Sequence, residues 1–152
     1  MPFPVVVERS WLSCTVCSKM TDLIFFYGTL MWGFSRPGRD RVEHKLQLEG
    51  RGWISAALFD MGIYSAAVPA SDTRVRGEVY RMVDADEVLA VVDELEGYRP
   101  SQPDSSLYVR VETPVTFEDG RVANAWVYFY NAPLGHAQRI ASGDYLEHLK
   151  VK

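Results

Sequence analysis

Residues 84–98, DADEVLAVVDELEGY, decide how the rest of the chain can be arranged, because they read as one well-bounded helix with a single acid on its apolar face. Asp84 suits the N-cap. Glu87, three residues on, completes a capping-box-like pair, and Asp86 adds negative charge at the helix end that favours it. Gly97 is able to take the left-handed C′ conformation, so the helix is expected to stop near Glu96. At about 100° per residue, Val88, Val91, Val92 and Leu95 fall within about 100° of one another, and Leu89 widens that arc. Asp93, Glu94 and Glu87 fall outside it, whereas Glu96 lies between Val92 and Leu89, about 80° from Val88. From the helix alone two readings are open. Glu96 is either a last-turn side chain that turns out into water, or a carboxylate kept for chemistry, because desolvation raises its pKa and makes it a proton acceptor poised nearer neutrality.

At 152 residues and 17.2 kDa the chain is the size of one domain, large enough to bury a core without disulfides or metals. Hydrophobic residues at 47% and charged residues at 24% are ordinary globular values, which excludes a disordered or membrane class. A net charge of −4 argues against a general nucleic-acid surface, which needs a basic face to displace counterions from phosphates. Cys14 and Cys17 form a lone CxxC. Zinc would want a second pair of ligands, and His44, His136 and His148 are scattered without metal spacing, so no metal or cofactor is expected. The want of a disulfide framework fits a reducing cytoplasm, and no apolar run approaches the length of a membrane span.

Residues 1–19 have no sustained period and are expected to be an extension, from an upstream start site or a cloning remnant, ahead of a single domain at 20–152. Residues 23–27, LIFFY, are a continuous apolar run of the kind found in a strand covered on both faces, ending abruptly at Gly28. A loop follows to Asp40. Arg36, Arg39, Arg41 and Lys45 then mix with Asp40 and Glu43 and read as a solvated surface. Strands are expected at 44–49 and 53–59, separated by the Gly50-Arg51-Gly52 break, then at 63–68 and 74–83, the last leading into the helix. After the helix come a proline-containing loop at 98–106 and strands at 107–117 and 122–130, joined by the Glu118-Asp119-Gly120-Arg121 hairpin signal. The tail is weakly helical, with Tyr145, Leu146 and Leu149 as anchors. Many short strands with few helices give a mixed α+β domain: a small barrel-like sheet closed by one strong helix.

A second feature stands at the end of the first strand. In Tyr27-Gly28-Thr29-Leu30, Gly28 lets the backbone turn without a side chain in the way, and the successive N–H groups of Gly28, Thr29 and Leu30 can face one anion or carbonyl oxygen. An ordinary strand-to-loop turn reads the same way. Taken with Gly77-Glu78-Val79-Tyr80, Leu95-Glu96-Gly97-Tyr98, Tyr108-Val109-Arg110-Val111 and the aromatic strand around Trp126, the chain resembles the gamma-glutamylcyclotransferase-like superfamily over about residues 22–131. The resemblance implies a small mixed barrel. It also implies that Glu96 is the proton acceptor, that Tyr27, Gly28, Thr29 and Leu30 bind a gamma-glutamyl substrate through their backbone, and that Tyr108 lines the same pocket.

The activity so implied is a cytoplasmic, cofactor-independent cyclotransferase that releases 5-oxoproline and a free amine or amino acid from a small gamma-glutamyl amide, with neither nucleic acid nor membrane as partner. A gamma-glutamylamine (gamma-glutamyl-lysine) cyclotransferase, or a silent metabolite-binding module of the same fold, are the alternatives. Two stretches depart from the common pattern of the superfamily: Met31-Trp32-Gly33-Phe34-Ser35-Arg36 after the glycine turn, and Tyr64-Ser65-Ala66 where many members have a tyrosine–proline pair. Both concern the amine half of the substrate.

Overall fold

A computed structural model describes residues 20–34 and 36–150. Residues 1–19, with Cys14 and Cys17, lie outside the described residues. In chain order the elements are β1 (Leu23–Phe26), β2 (Leu46–Asp60), β3 (Ser65–Met82), α1 (Ala85–Glu96), β4 (Tyr108–Phe117), β5 (Val122–Tyr130), β6 (Gln138–Arg139) and α2 (Tyr145–Lys150). Short 3₁₀ turns at Arg39–Arg41, Glu43–Lys45 and Pro103–Ser105 punctuate the loops.

The strands run in the order β3-β1-β5-β4-β2, and β2 pairs back to β3, so five strands close into a mixed barrel with β6 added at the edge of β2. Among the described residues only the β1–β5 contact is parallel, at Ile24 opposite Trp126; the other pairs are antiparallel. All four residues of β1 are buried, as its unbroken apolar run predicts. One core takes side chains from every strand of the ring and from α1, where Val88, Leu89 and Val92 are buried. Each such aliphatic side chain stabilises the fold by about 1.5–3 kcal/mol relative to exposure.

Two expected chain breaks are irregularities within strands. At Gly50-Arg51-Gly52 the strand continues, and the register slips between Leu48 and Gly50, so the glycines mark a bulge. Further along, Ser55 pairs with Arg74 but Ala56 with Pro69, which leaves residues 70–73 without a counterpart in β2; this is the gap expected between two strands. Barrel closure requires such bends in long strands. Gly77 has a different reason: a Cβ there would lie 2.2 Å from the Phe26 carbonyl oxygen, because β1 and β3 cross closely.

The helix has the expected bounds. Asp84 accepts from the Glu87 N–H at 3.5 Å, and Gly97, at φ 68°, donates to the Asp93 and Glu94 carbonyls. Its buried face is wider than the wheel predicts, because Asp93 is inside it. At the C-terminus Tyr145 is buried and Leu146 and Leu149 pack on the core, while His148 Nε2 lies 2.8 Å from Asp60 Oδ2 and ties α2 to the end of β2.

Candidate active site

The turn after β1 is closed by the Met31 N–H donating to the Gly28 carbonyl at 3.0 Å. The loop beyond it is fastened from β3. Glu78, opposite Phe26 in the ladder, accepts from the Trp32 N–H at 2.9 Å and from the Tyr80 hydroxyl at 2.8 Å. A buried arginine, Arg39, holds the same loop from the far side by donating from Nε to the Leu30 carbonyl at 2.7 Å. The loop that follows the glycine turn is therefore anchored at both Leu30 and Trp32.

This turn faces the C-terminal end of α1 across a cavity of about 480 Å³. Tyr27, Gly28, Thr29, Leu30, Glu96 and Tyr108 all line it, so residues up to 81 positions apart in the chain share one wall. Gly97 ends the helix one residue after Glu96, and the Leu107 N–H bond to the Gly97 carbonyl at 3.1 Å turns the chain back over the site. The Glu96 side chain is only 15% exposed. Burial pushes its carboxyl up from the usual 4.5 to about 7, against a smaller opposing pull from Arg36.

Arg36 corrects the expectation of a solvated basic surface. It donates from Nη1 to Thr29 Oγ1 at 2.9 Å and from Nη2 to the Leu95 carbonyl at 2.9 Å, and Nη2 stands 3.6 Å from Glu96 Oε2. One guanidinium thus bridges the turn loop and the helix end. Arg39 is buried, though its Nη1 also pairs with the exposed Glu43; Arg41 and Lys45 pair with Glu94 and with Asp84 and Glu87 respectively. Nothing local in the sequence distinguishes Arg36 from Arg41. The signal is tertiary, because the partner of Arg36 is a carbonyl 59 residues away.

The tyrosines have their hydroxyls occupied. Tyr27 donates to the Tyr128 carbonyl at 2.6 Å and accepts from the Ala67 N–H at 3.2 Å, and Tyr108 donates to the Ser65 carbonyl at 2.9 Å. Burial pushes both hydroxyls well above their ordinary range, with Glu96 adding to the effect. Both offer ring surface to the cavity and keep their protons. Ser65 Oγ is buried in the same wall with no hydrogen-bond partner, and it explains Gly28: a Cβ on Gly28 would lie 2.5 Å from it. The need for glycine here comes from close approach, not from a left-handed backbone.

One turn before Glu96, Asp93 is also buried and is fully engaged. Arg110 donates to it from Nε at 2.9 Å and from Nη2 at 3.2 Å, and the Tyr128 hydroxyl donates at 2.6 Å. Arg110 is itself stacked 4.6 Å from the Trp126 ring centroid. This corrects the expectation that Glu96 is the one buried acid of the helix. Among the described residues no helix is long and apolar enough to cross a membrane.

Comparison with known proteins agrees with this architecture. The family described as "Gamma-glutamyl cyclotransferase, AIG2-like" matches residues 24–147. The Escherichia coli K12 "Gamma-glutamylcyclotransferase family protein YtfP" is 33% identical over 127 residues, which is 82% of this chain and 96% of that protein. The solution structure of Escherichia coli ytfP is similar at 30% identity and a TM-score of 0.57, covering 83% of this chain and 97% of that one. An AIG2-like protein from Mus musculus shares the fold at 22% identity, with a TM-score of 0.62 over 84% of this chain and 89% of its own. The chain belongs to the gamma-glutamyl cyclotransferase, AIG2-like family.

Proposed function

We propose that this member of the family is a cyclotransferase that converts a gamma-glutamyl amide into 5-oxoproline and a free amine, with Glu96 as general base and then general acid. The observation that carries this reading is the Glu96 carboxyl, 15% exposed in a cavity opposite the Gly28 turn and raised to about 7, where it is partly ionised at neutral pH and able both to take and to return a proton. The substrate's α-nitrogen is the nucleophile and arrives as an ammonium. Glu96 takes a proton from it, and the freed amine attacks the γ-carbonyl carbon to form the new C–N bond of a five-membered ring. The amides of Gly28, Thr29 and Leu30 stabilise the oxyanion that develops there. Collapse breaks the original amide C–N bond, and Glu96 returns its proton to the departing nitrogen. The ring nitrogen sheds a second proton, which ends on the released amine as its ammonium or in water. Tyr27 and Tyr108 present ring surface to the glutamyl chain. No metal or organic cofactor enters any of these steps, and the cytoplasm is the compartment in which we place them.

The test is release of 5-oxoproline from a panel of gamma-glutamyl amides, with the Glu96→Gln protein as control. Turnover of at least one compound that disappears in the variant is expected. Binding of 5-oxoproline with no turnover of any compound would make the chain a metabolite-binding module of this fold.

A further inference from the structure

Among the described residues lining the cavity, only Arg36 and Glu96 carry charge. Their separation is informative. A charge-assisted N–H···O bond closes to about 2.7–2.9 Å, yet Arg36 Nη2 and Glu96 Oε2 stand 3.6 Å apart, while the same guanidinium makes two 2.9 Å bonds to Thr29 Oγ1 and the Leu95 carbonyl. The arginine is therefore fixed by the walls of the site and not by the carboxylate. It offers a cation, and Glu96 an anion, side by side in one cavity.

An α-amino acid head group is the complement of that arrangement, because it carries a carboxylate and an ammonium on a single carbon. Binding it replaces one loose ion pair with two cross-pairs of matched sign, with the charged groups of both partners satisfied as they leave water. The rest of the lining carries no charge. Phe34, Pro37, Leu95, Leu107 and Ile63 are apolar, and Ile63, 87% exposed, and Leu107, 42% exposed, mark the open side. Once the head group has engaged Arg36 and Glu96, a second charge on the departing half would find no partner among these side chains.

We propose that Arg36 and Glu96 together form the receptor for the substrate's α-amino acid head group, Arg36 taking the α-carboxylate and Glu96 the ammonium, and that the wall of Phe34, Leu107 and Ile63 receives an uncharged, apolar leaving amine. The inference rests on the cyclotransfer reading and deepens it. It makes Arg36 a substrate-binding residue and names the substrate class as gamma-glutamyl amides of apolar amines with a free α-carboxylate.

The experiment compares three compounds with wild type, Arg36→Gln and Arg36→Lys: gamma-glutamyl-isopentylamide, its α-carboxamide, and the gamma-glutamyl amide of 1,5-diaminopentane. For wild type, loss of the carboxylate should lower kcat/KM by about 10- to 100-fold, mostly through KM, the range of one hydrogen bond to a charged group. The diamine compound should be about tenfold poorer than the isopentylamide. Arg36→Gln should abolish the preference for acid over amide, and Arg36→Lys should keep part of it. A binding measurement independent of turnover compares 5-oxoproline with 2-pyrrolidinone, which lacks the carboxylate; wild type should prefer 5-oxoproline and Arg36→Gln should not. Equal handling of acid and α-carboxamide by wild type overturns the assignment of Arg36 even if the glutamine variant fails to fold. Equal or better turnover of the diamine compound overturns the apolar wall. If wild type neither turns over any of the compounds nor binds 5-oxoproline, the cyclotransfer reading itself falls, and this inference with it.

Discussion

Asp93 and Glu96 stand one turn apart on α1 and are buried to nearly the same degree, with side chains 11% and 15% exposed, yet their surroundings are opposite. Asp93 receives a two-pronged bond from Arg110 and a third from the Tyr128 hydroxyl, which joins α1 to β4 and β5. Glu96 has one cation at 3.6 Å and a cavity in front of it. Burial alone therefore says little about what a carboxylate is for. Saturation decides it: a carboxylate with its lone pairs filled fixes the position of neighbouring elements, whereas one left short of donors has its proton affinity raised and its oxygens free to meet a ligand.

The contrast breaks most easily at Glu96. Glu96→Gln keeps size and hydrogen-bonding shape but cannot take the ammonium proton, so 5-oxoproline release should fall by about 10²- to 10⁴-fold. Stability should move the other way, and the sign follows from proton binding. A carboxyl raised from 4.5 to about 7 holds more protons in the native state than in the unfolded one, so the native state loses stability as pH climbs through that window. Above it the cost of ionised Glu96 is complete, about 3 kcal/mol at about 1.4 kcal/mol per pH unit. Urea unfolding at pH 8 should find the glutamine variant equally or more stable, by up to that amount, with the advantage fading towards pH 4.5. Lower stability of the variant at both ends of the range would make Glu96 a structural residue like its neighbour.

Asp93→Ala probes the other side of the comparison. It leaves the Arg110 guanidinium, in a side chain 15% exposed, without its carboxylate and the Tyr128 hydroxyl without its acceptor. Breaking such a buried pair should lower stability by about 3–5 kcal/mol. Turnover per folded molecule should stay within a few-fold of wild type, since no step of the reaction uses Asp93. A marginal change in the unfolding midpoint would mean that the triad contributes little.

The smallest effect is expected at Ser65, whose buried hydroxyl lies in the same cavity wall and has no hydrogen-bond partner. Gly28→Ala would push a methyl group against Ser65 Oγ, at 2.5 Å from the new Cβ. A serine side chain can rotate away, so stability should fall by about 1 kcal/mol, near the low end for overpacking, while 5-oxoproline affinity drops as the turn shifts. Adding Ser65→Ala should restore both. A double variant no better than Gly28→Ala would show that the glycine serves some purpose other than clearance from Ser65.

How much could be read in advance depended on the range of the interaction. The helix bounds at Asp84 and Gly97, the buried strand at β1, the hairpin between β4 and β5 and the anchors Tyr145, Leu146 and Leu149 all follow from propensity, capping and periodicity within a few residues. So did the placing of Glu96 on the apolar face of its helix. The turn at Gly28 and the glutamate before Gly97 needed a family pattern to connect them, because nothing within either segment refers to the other. Closure of the barrel came from the pairing of β2 back to β3 and of β1 beside β5, which no single strand encodes. The burial of Asp93 was hidden because its partners, Arg110 and Tyr128, lie 17 and 35 residues away. Arg36 was hidden for the same reason: beside Asp40, Glu43 and three other cations it has the composition of a surface, and only the folded loop carries it to the end of α1. Local sequence set the bounds of the helix, the buried first strand and the inward placing of Glu96, since those follow from local geometry and solvation, but not the inward turn of Asp93 beside it. Tertiary structure decided which buried charges are satisfied and which remain open to a ligand, since that depends on donors brought together only when the ring of strands closes.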